Sequence, residues 1–83
     1  MKKTRNHRTR NVVGPRILRA RLARRPEVSQ DDLAGRLAAK GILLDRSAIS
    51  RIESQDRYVM DYEVSAIARC LKVSVAWLYG ELK

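Results

Sequence analysis

Ser29-Gln30-Asp31-Asp32-Leu33-Ala34, followed within the same run by Ala48-Ile49-Ser50-Arg51-Ile52-Glu53, decides the fold of this 83-residue chain. The Ser29 side-chain oxygen can cap a helix beginning at Gln30. Asp32 stands at the capping-box position, and Asp31 and Asp32 suit the positive end of the helix. Leu33, Ala34, Leu37 and Ala38 form one apolar stripe, Arg36 and Lys40 fall off it, and Gly41 ends the helix near Lys40. After the linker Ile42-Leu43-Leu44, Asp45 can cap a second helix that buries Ile49 and Ile52 and turns Arg46, Ser47, Ser50 and Arg51 outward. That outward face is small, basic and hydrogen-bonding, a chemistry suited to base edges in a DNA groove.

Working outward, Gly14-Pro15 marks an earlier helix with proline at its first position and Gly14 as cap, and Val13 just before it is placed to staple onto Leu18. This helix runs to about Arg25, where Pro26 stops it, and Pro26-Glu27-Val28 leads into the Ser29 cap. Beyond Glu53, residues Gln55 to Met60 read as irregular. Asp61 caps a helix carrying Val64, Ile67, Ala68 and Leu71, and Ser74 caps a short last one carrying Val75 and Leu78. No strand candidate, internal repeat or apolar run of membrane length interrupts the pattern. The reading is an all-α domain of five helices over residues 13–83, preceded by a basic arm over residues 1–12 whose first eleven residues are too polar to order themselves.

Charge is unevenly placed along the chain. Residues 1–25 hold ten Arg or Lys and no acid, whereas residues 26–83 hold eight basic and nine acidic side chains, so the net charge of +9 resides in the N-terminal third. Such a field attracts polyanions, and each duplex phosphate neutralised adds about 0.9 to the salt slope of binding. A solvated, solubilising tail is the competing account of residues 2–10. A chain this short makes one small domain without a deep substrate cavity or a separate sensing domain. The single cysteine, Cys70, excludes an internal disulfide and shares a helical stripe with Ile67 and Leu71, as a buried, inert thiol in a reducing cytoplasm would. The basic N-terminus lacks the apolar stretch of a signal peptide.

The segments Ser29–Ala34 and Ala48–Glu53, then Leu71-Lys72-Val73-Ser74 with Trp77-Leu78, occur in one order across residues 13 to 80. Together they resemble the phage-repressor helix-turn-helix family (lambda repressor, Cro, Xre-type). The resemblance implies a five-helix lambda-repressor-like bundle and a sequence-specific, double-stranded DNA-binding transcriptional regulator, a repressor that occupies a palindromic operator as a homodimer. It makes Gln30, at the start of the first motif helix, a phosphate contact. Arg46 and Ser47 become base readers at the start of the recognition helix, with Ser50 and Arg51 further along it. An arginine at position 46 favours guanine O6 and N7, while simple phosphate binding is the alternative for Arg46 and Arg51. The cations flanking these helices, Arg10, Arg16, Arg36, Lys40 and Arg57, are the expected phosphate contacts. The resemblance also pairs Glu53 with an arginine of the first helix, Arg21, or Arg24 if the register shifts.

The chain departs from the family in two places. The connection from Ala38 to Asp45 is longer than the compact family turn and can tilt the recognition helix. Gln55 stands where glycine is usual, so the chain is expected to leave the helix at Asp56 instead. Trp77 and Tyr79 are the expected dimer contact, with core packing the competing role for Trp77, and Tyr58 and Tyr62 are placed to line an interface or a phosphate. His7 reads as a solvated arm residue. Glu53 lacks a paired acid, histidine or metal-ligand neighbour, so the sequence offers no catalytic constellation, metal site or cofactor motif. An antitoxin-like or accessory subunit whose main partner is another protein is the alternative function. The few aromatics argue against RNA, and the unbroken polarity of the arm argues against membrane surfaces.

Overall fold

The computed structural model describes residues 9–82; the arm residues before Thr9, His7 among them, lie outside it. Five helices follow one another: α1 (Gly14–Ala23), α2 (Gln30–Ala39), α3 (Arg46–Glu53), α4 (Asp61–Leu71) and α5 (Val75–Leu78). Among the described residues there is no strand, and no helix is long and apolar enough to cross a membrane.

Local side-chain chemistry sets most of the helix starts. Ser29 Oγ accepts from the Asp32 N–H at 2.9 Å and Asp32 Oδ2 from the Ser29 N–H at 3.1 Å, closing a reciprocal capping box on α2. The Ser29 backbone N–H first, and the nearby Ser29 side chain second, hold the Asp32 carboxyl below its ordinary value of 3.8. Asp45 Oδ1 accepts from Ala48 N–H at 2.8 Å to start α3, and Ser74 Oγ from Trp77 N–H at 3.0 Å to start α5. At the end of α2, Gly41 takes φ +82 while its own N–H and that of Ile42 reach back to Ala38 and Leu37.

Three boundaries differ from the sequence reading. Helix α1 begins at Gly14 with Val13 as its cap residue and ends at Ala23, because Arg24 is already extended at ψ 151. Val13 is buried, yet Leu18, its expected staple partner, is 37% exposed. Asp61 is the first residue of α4 and Met60 precedes it as the cap; Glu63 Oε1 accepts the Met60 N–H at 2.9 Å and does the capping from inside the helix. Gln55 does enter the left-handed region, at φ +67. Its N–H bonds Ile52 O and the Asp56 N–H bonds Arg51 O, a glycine-type helix ending made without glycine.

The core gathers Val13 and Ile17 of the first helical stretch, Val28, Leu33 and Leu37, Leu44, Ile49 and Ile52, Val64, Ile67 and Leu71, and Leu78. The α2 stripe is narrower than its sequence indicates: Leu33 and Leu37 are buried, Ala34 is half-buried and Ala38 is exposed. Of the α5 pair, Leu78 is buried while Val75 is 41% exposed. The linker from α2 divides in the same manner, Leu44 entering the core and Leu43 remaining in solvent. Helix α3 packs against both α1 and α2, and this fixes the face it turns outward.

Candidate nucleic-acid interface

With Ala48, Ile49 and Ile52 buried beneath it, α3 presents Arg46, Ser47, Ser50 and Arg51 to solvent. These four lie on one side of the helix because 3.6-residue periodicity puts them opposite the apolar stripe. Arg46 Nη1 stands 3.7 Å from Asp31 Oδ2 of α2, with both side chains 70% exposed. A contact so open to water holds the guanidinium weakly and leaves it free to exchange partners. A shallow groove beside this face is lined by Gln30, Asp45, Arg46, Ser47 and Ser50, so the first turn of α2 and the first turn of α3 share one surface.

Glu53 anchors the far end of α3. Its carboxylate accepts two hydrogen bonds from Arg21, Nε at 2.6 Å and Nη2 at 2.9 Å, and a third from Gln30 Nε2 at 2.9 Å. Arg21 also donates from Nη1 to the Val28 carbonyl at 2.9 Å. The two ionised side chains are nearly buried, and a buried pair persists only when its remaining polar atoms are satisfied, as they are here. Arg21 rather than Arg24 is therefore the arginine of the pair. Gln30 is tied by one amide N–H to this cluster and also lines the groove with Arg46, Ser47 and Ser50.

Residues just ahead of α1 clasp the loop just beyond α3. Asn11 Nδ2 donates to Ile52 O at 3.1 Å and Arg57 O at 2.8 Å, while its Oδ1 accepts the Gly14 N–H at 2.8 Å. Gln55 completes the clasp, its Nε2 donating to Asn11 O and its own carbonyl accepting the Arg10 N–H. Arg10 pairs with Asp56 at 3.1 Å and lies 5.8 Å from the Tyr58 ring centre. Arg10 and Asn11, which the sequence assigns to the arm, thus form part of the folded unit. Apart from the Gly14 N–H, three positions on from Asn11, the partners in this clasp lie more than forty positions away, beyond the reach of local sequence patterns.

The remaining predicted residues occupy other surfaces. Arg57 spends its guanidinium on Glu63 at 3.2 Å, where it neutralises a carboxylate that is only 7% exposed, and on the Tyr58 carbonyl. Arg16 lies 4.5 Å above the Trp77 ring and Arg19 5.7 Å from it, a stacking arrangement that covers one face of the half-buried indole. Tyr79, Val75 and Leu82 stay exposed nearby in sequence, and Tyr62 is exposed at the start of α4. Arg36 and Lys40 line a groove with Ala39, Arg69, Cys70 and Lys72, on the side of α2 that faces α4. Cys70 is buried there, and burial pushes its thiol above the ordinary value of 9.0 against the opposing pull of Lys40 and Arg36.

The structure therefore brings together Gln30, Arg46, Ser47 and Ser50 on one surface, with Arg51 on the same helix face and Arg10 past its end. It sets Arg16, Arg36 and Lys40 apart from that group. Comparison with protein-family models, with curated proteins and with solved structures yields no significant match for this chain.

Proposed function

We propose that this chain is a sequence-specific, double-stranded DNA-binding transcriptional regulator of the phage-repressor helix-turn-helix type, a repressor that acts in the cytoplasm by occupying a palindromic operator as a homodimer. The observation that carries this reading is the outward face of α3: two arginines and two serines, capped at one end by Asp45 and fixed at the other by Glu53. In this reading α3 enters the major groove and Arg46 donates in parallel to guanine O6 and N7, a pairing worth about 1–3 kcal/mol of discrimination. Ser47 and Ser50, being short, admit a close approach to neighbouring base edges, and Arg51 follows one turn on. Gln30 meets a phosphate at the N-terminus of α2, where backbone N–H groups and the helix dipole favour an anion. Arg10 supplies a second phosphate contact past the other end of α3, by exchanging Asp56 for DNA. Arg16 and Arg57 are already engaged, with Trp77 and Glu63, and rank behind these two. No step calls for a cofactor.

A two-fold site read by two copies needs half-sites about 34–36 Å apart and a contact between protomers. The exposed Val75, Tyr79 and Leu82 with the half-buried Trp77 supply the apolar surface for it. The same exposed group supports the second reading, an antitoxin-like or accessory DNA-binding subunit that offers this surface to a different protein.

Selection of bound duplexes from a random pool, repeated with Arg46→Ala at fixed salt, tests the assignment. A palindromic motif that loses one base preference in the variant is the expected result. Enrichment of no motif overturns sequence-specific regulation and leaves the partner-dependent role, and uniform weakening with unchanged preference reduces Arg46 to a phosphate contact.

A further inference from the structure

We infer that the groove between α2 and α4 is a docking site for an acidic protein segment, separate from the α3 surface and independent of what α3 binds. The groove is lined by Arg36, Ala39, Lys40, Arg69, Cys70 and Lys72, four cations and no carboxylate. The ion pairs formed among the described residues join Arg10 to Asp56, Arg21 to Glu53, Arg46 to Asp31 and Arg57 to Glu63. None of them draws on the four groove cations. Asp32, one turn before Arg36 on α2, bonds Ser29 instead.

Cations in the last turn of a helix offset its dipole, and all four hold such positions at the ends of α2 and α4. The dipole asks only for nearby positive charge, which any exposed position of the last turn supplies. Here the two helix ends converge and the four charges face one groove, where they repel one another until an anion enters. Elsewhere on α2, Ala34, Gly35 and Ala38 border a second depression with Leu43, Leu44, Asp45, Ala48 and Arg57, to which α2 itself contributes no cation. The cations of α2 therefore line a different depression from the one that Gln30 shares with Arg46, Ser47 and Ser50.

The lining favours a peptide over a second duplex. Beside the four cations stand Ala39 and the nearly buried Cys70, uncharged and small, which suits Asp or Glu side chains interleaved with small apolar ones. Charge complementarity of this kind mainly speeds and orients association, which fits a transient partner.

The test is an amide-resonance titration of the full chain with two probes, a peptide alternating Glu and Ala and a duplex selected by the protein, with a Gln-for-Glu peptide as control. The acidic peptide is expected to shift Arg36, Ala39, Lys40, Arg69, Cys70 and Lys72, and the Gln peptide to shift none of them. Replacing Arg69 and Lys72 together by Gln should lower affinity for the acidic peptide about tenfold, the factor that two exposed ion pairs supply, while duplex affinity and its salt slope stay as they are. A salt slope that falls by about 0.9 for each charge removed assigns these residues to DNA phosphates and overturns the proposal. Groove resonances that neither probe moves overturn it too, and leave the cations as dipole partners only. A duplex that shifts no α3 resonance defeats the DNA-binding reading without touching the groove result.

Discussion

Arg21 of α1 and Glu53 at the end of α3 meet through two hydrogen bonds, at 2.6 and 2.9 Å, and both side chains are almost out of contact with water. Removal of either partner strands a buried charge. Arg21→Ala and Glu53→Ala should each lose about 3–5 kcal/mol of unfolding free energy in urea titrations. Arg21→Lys should rescue little, since one ammonium cannot reproduce a two-point contact and also reach the Val28 carbonyl. A lysine variant as stable as the parent would show that charge alone, without the fork geometry, holds α1 to α3.

Gly14 allows α1 to approach the end of α3 closely. A β-carbon at this position would collide with the Ile52 carbonyl and press on that of Glu53. In an open helix Gly→Ala stabilises by about 0.5–1 kcal/mol. Here the sign should reverse, with Gly14→Ala losing about 1–3 kcal/mol by overpacking. Thermal unfolding monitored by circular dichroism decides the sign.

The Asn11 and Gln55 clasp predicts an order among variants. Asn11→Ala leaves Ile52 O, Arg57 O and the Gly14 N–H without their side-chain partner and should lose about 1–3 kcal/mol. Gln55→Ala keeps the left-handed backbone and loses the bond to Asn11 O, so it should be less stable than the parent by about 0.5–1.5 kcal/mol. Gln55→Gly loses the same bond but relieves left-handed strain of about 1–2 kcal/mol, which returns it close to the parent. Melting temperatures of the three variants, measured side by side, check the order.

The Asp32 carboxyl is held below 3.8 by Ser29 in the folded chain. Its contribution is fully present above that ordinary value and is lost as pH falls through the lower folded value, where protonation breaks the capping box. Asp32→Asn should therefore flatten part of the acid limb of stability against pH and leave the neutral region with only the loss of the cap bond. Urea midpoints of parent and variant from neutral pH down into the acid range measure this. An acid limb identical in both would mean that Asp32 titrates alike folded and unfolded.

How far the sequence discloses this architecture depends on the range of the chemistry involved. Ser29, Asp45 and Ser74 cap helices through bonds to residues three positions on, and Gly41 ends one through a backbone angle, so these features are legible in a few letters. The core positions Leu33, Leu37, Ile49, Ile52, Val64, Ile67 and Leu71 follow from periodicity for the same reason. Gln55 defeats such reading because its left-handed conformation is supported by Asn11, 44 positions away. The cap position of α4 falls to Met60 rather than Asp61, since Glu63 supplies the cap bond from within the helix. Within the candidate site, the outward placement of Arg46, Ser47, Ser50 and Arg51 is legible from the helical period. The engagement of Arg16 by Trp77 and of Gln30 by Glu53 is not, because each depends on how separate helices meet, and that of Arg57 by Glu63 depends on how the loop ahead of α4 folds back on it.

The attachments of α3 all lie at its two ends or on its buried side: Asp45 below, and Glu53, the Ile52 carbonyl and the Gln55 ending above. The side chains of Ser47, Ser50 and Arg51 carry no structural bond among the described residues, and Arg46 carries only an open one to Asp31. In the proposed function, specificity and stability are thereby written on different atoms of one eight-residue helix. Four letters of this helix can then be rewritten, by a lineage or an engineer, while the chain keeps folding as before.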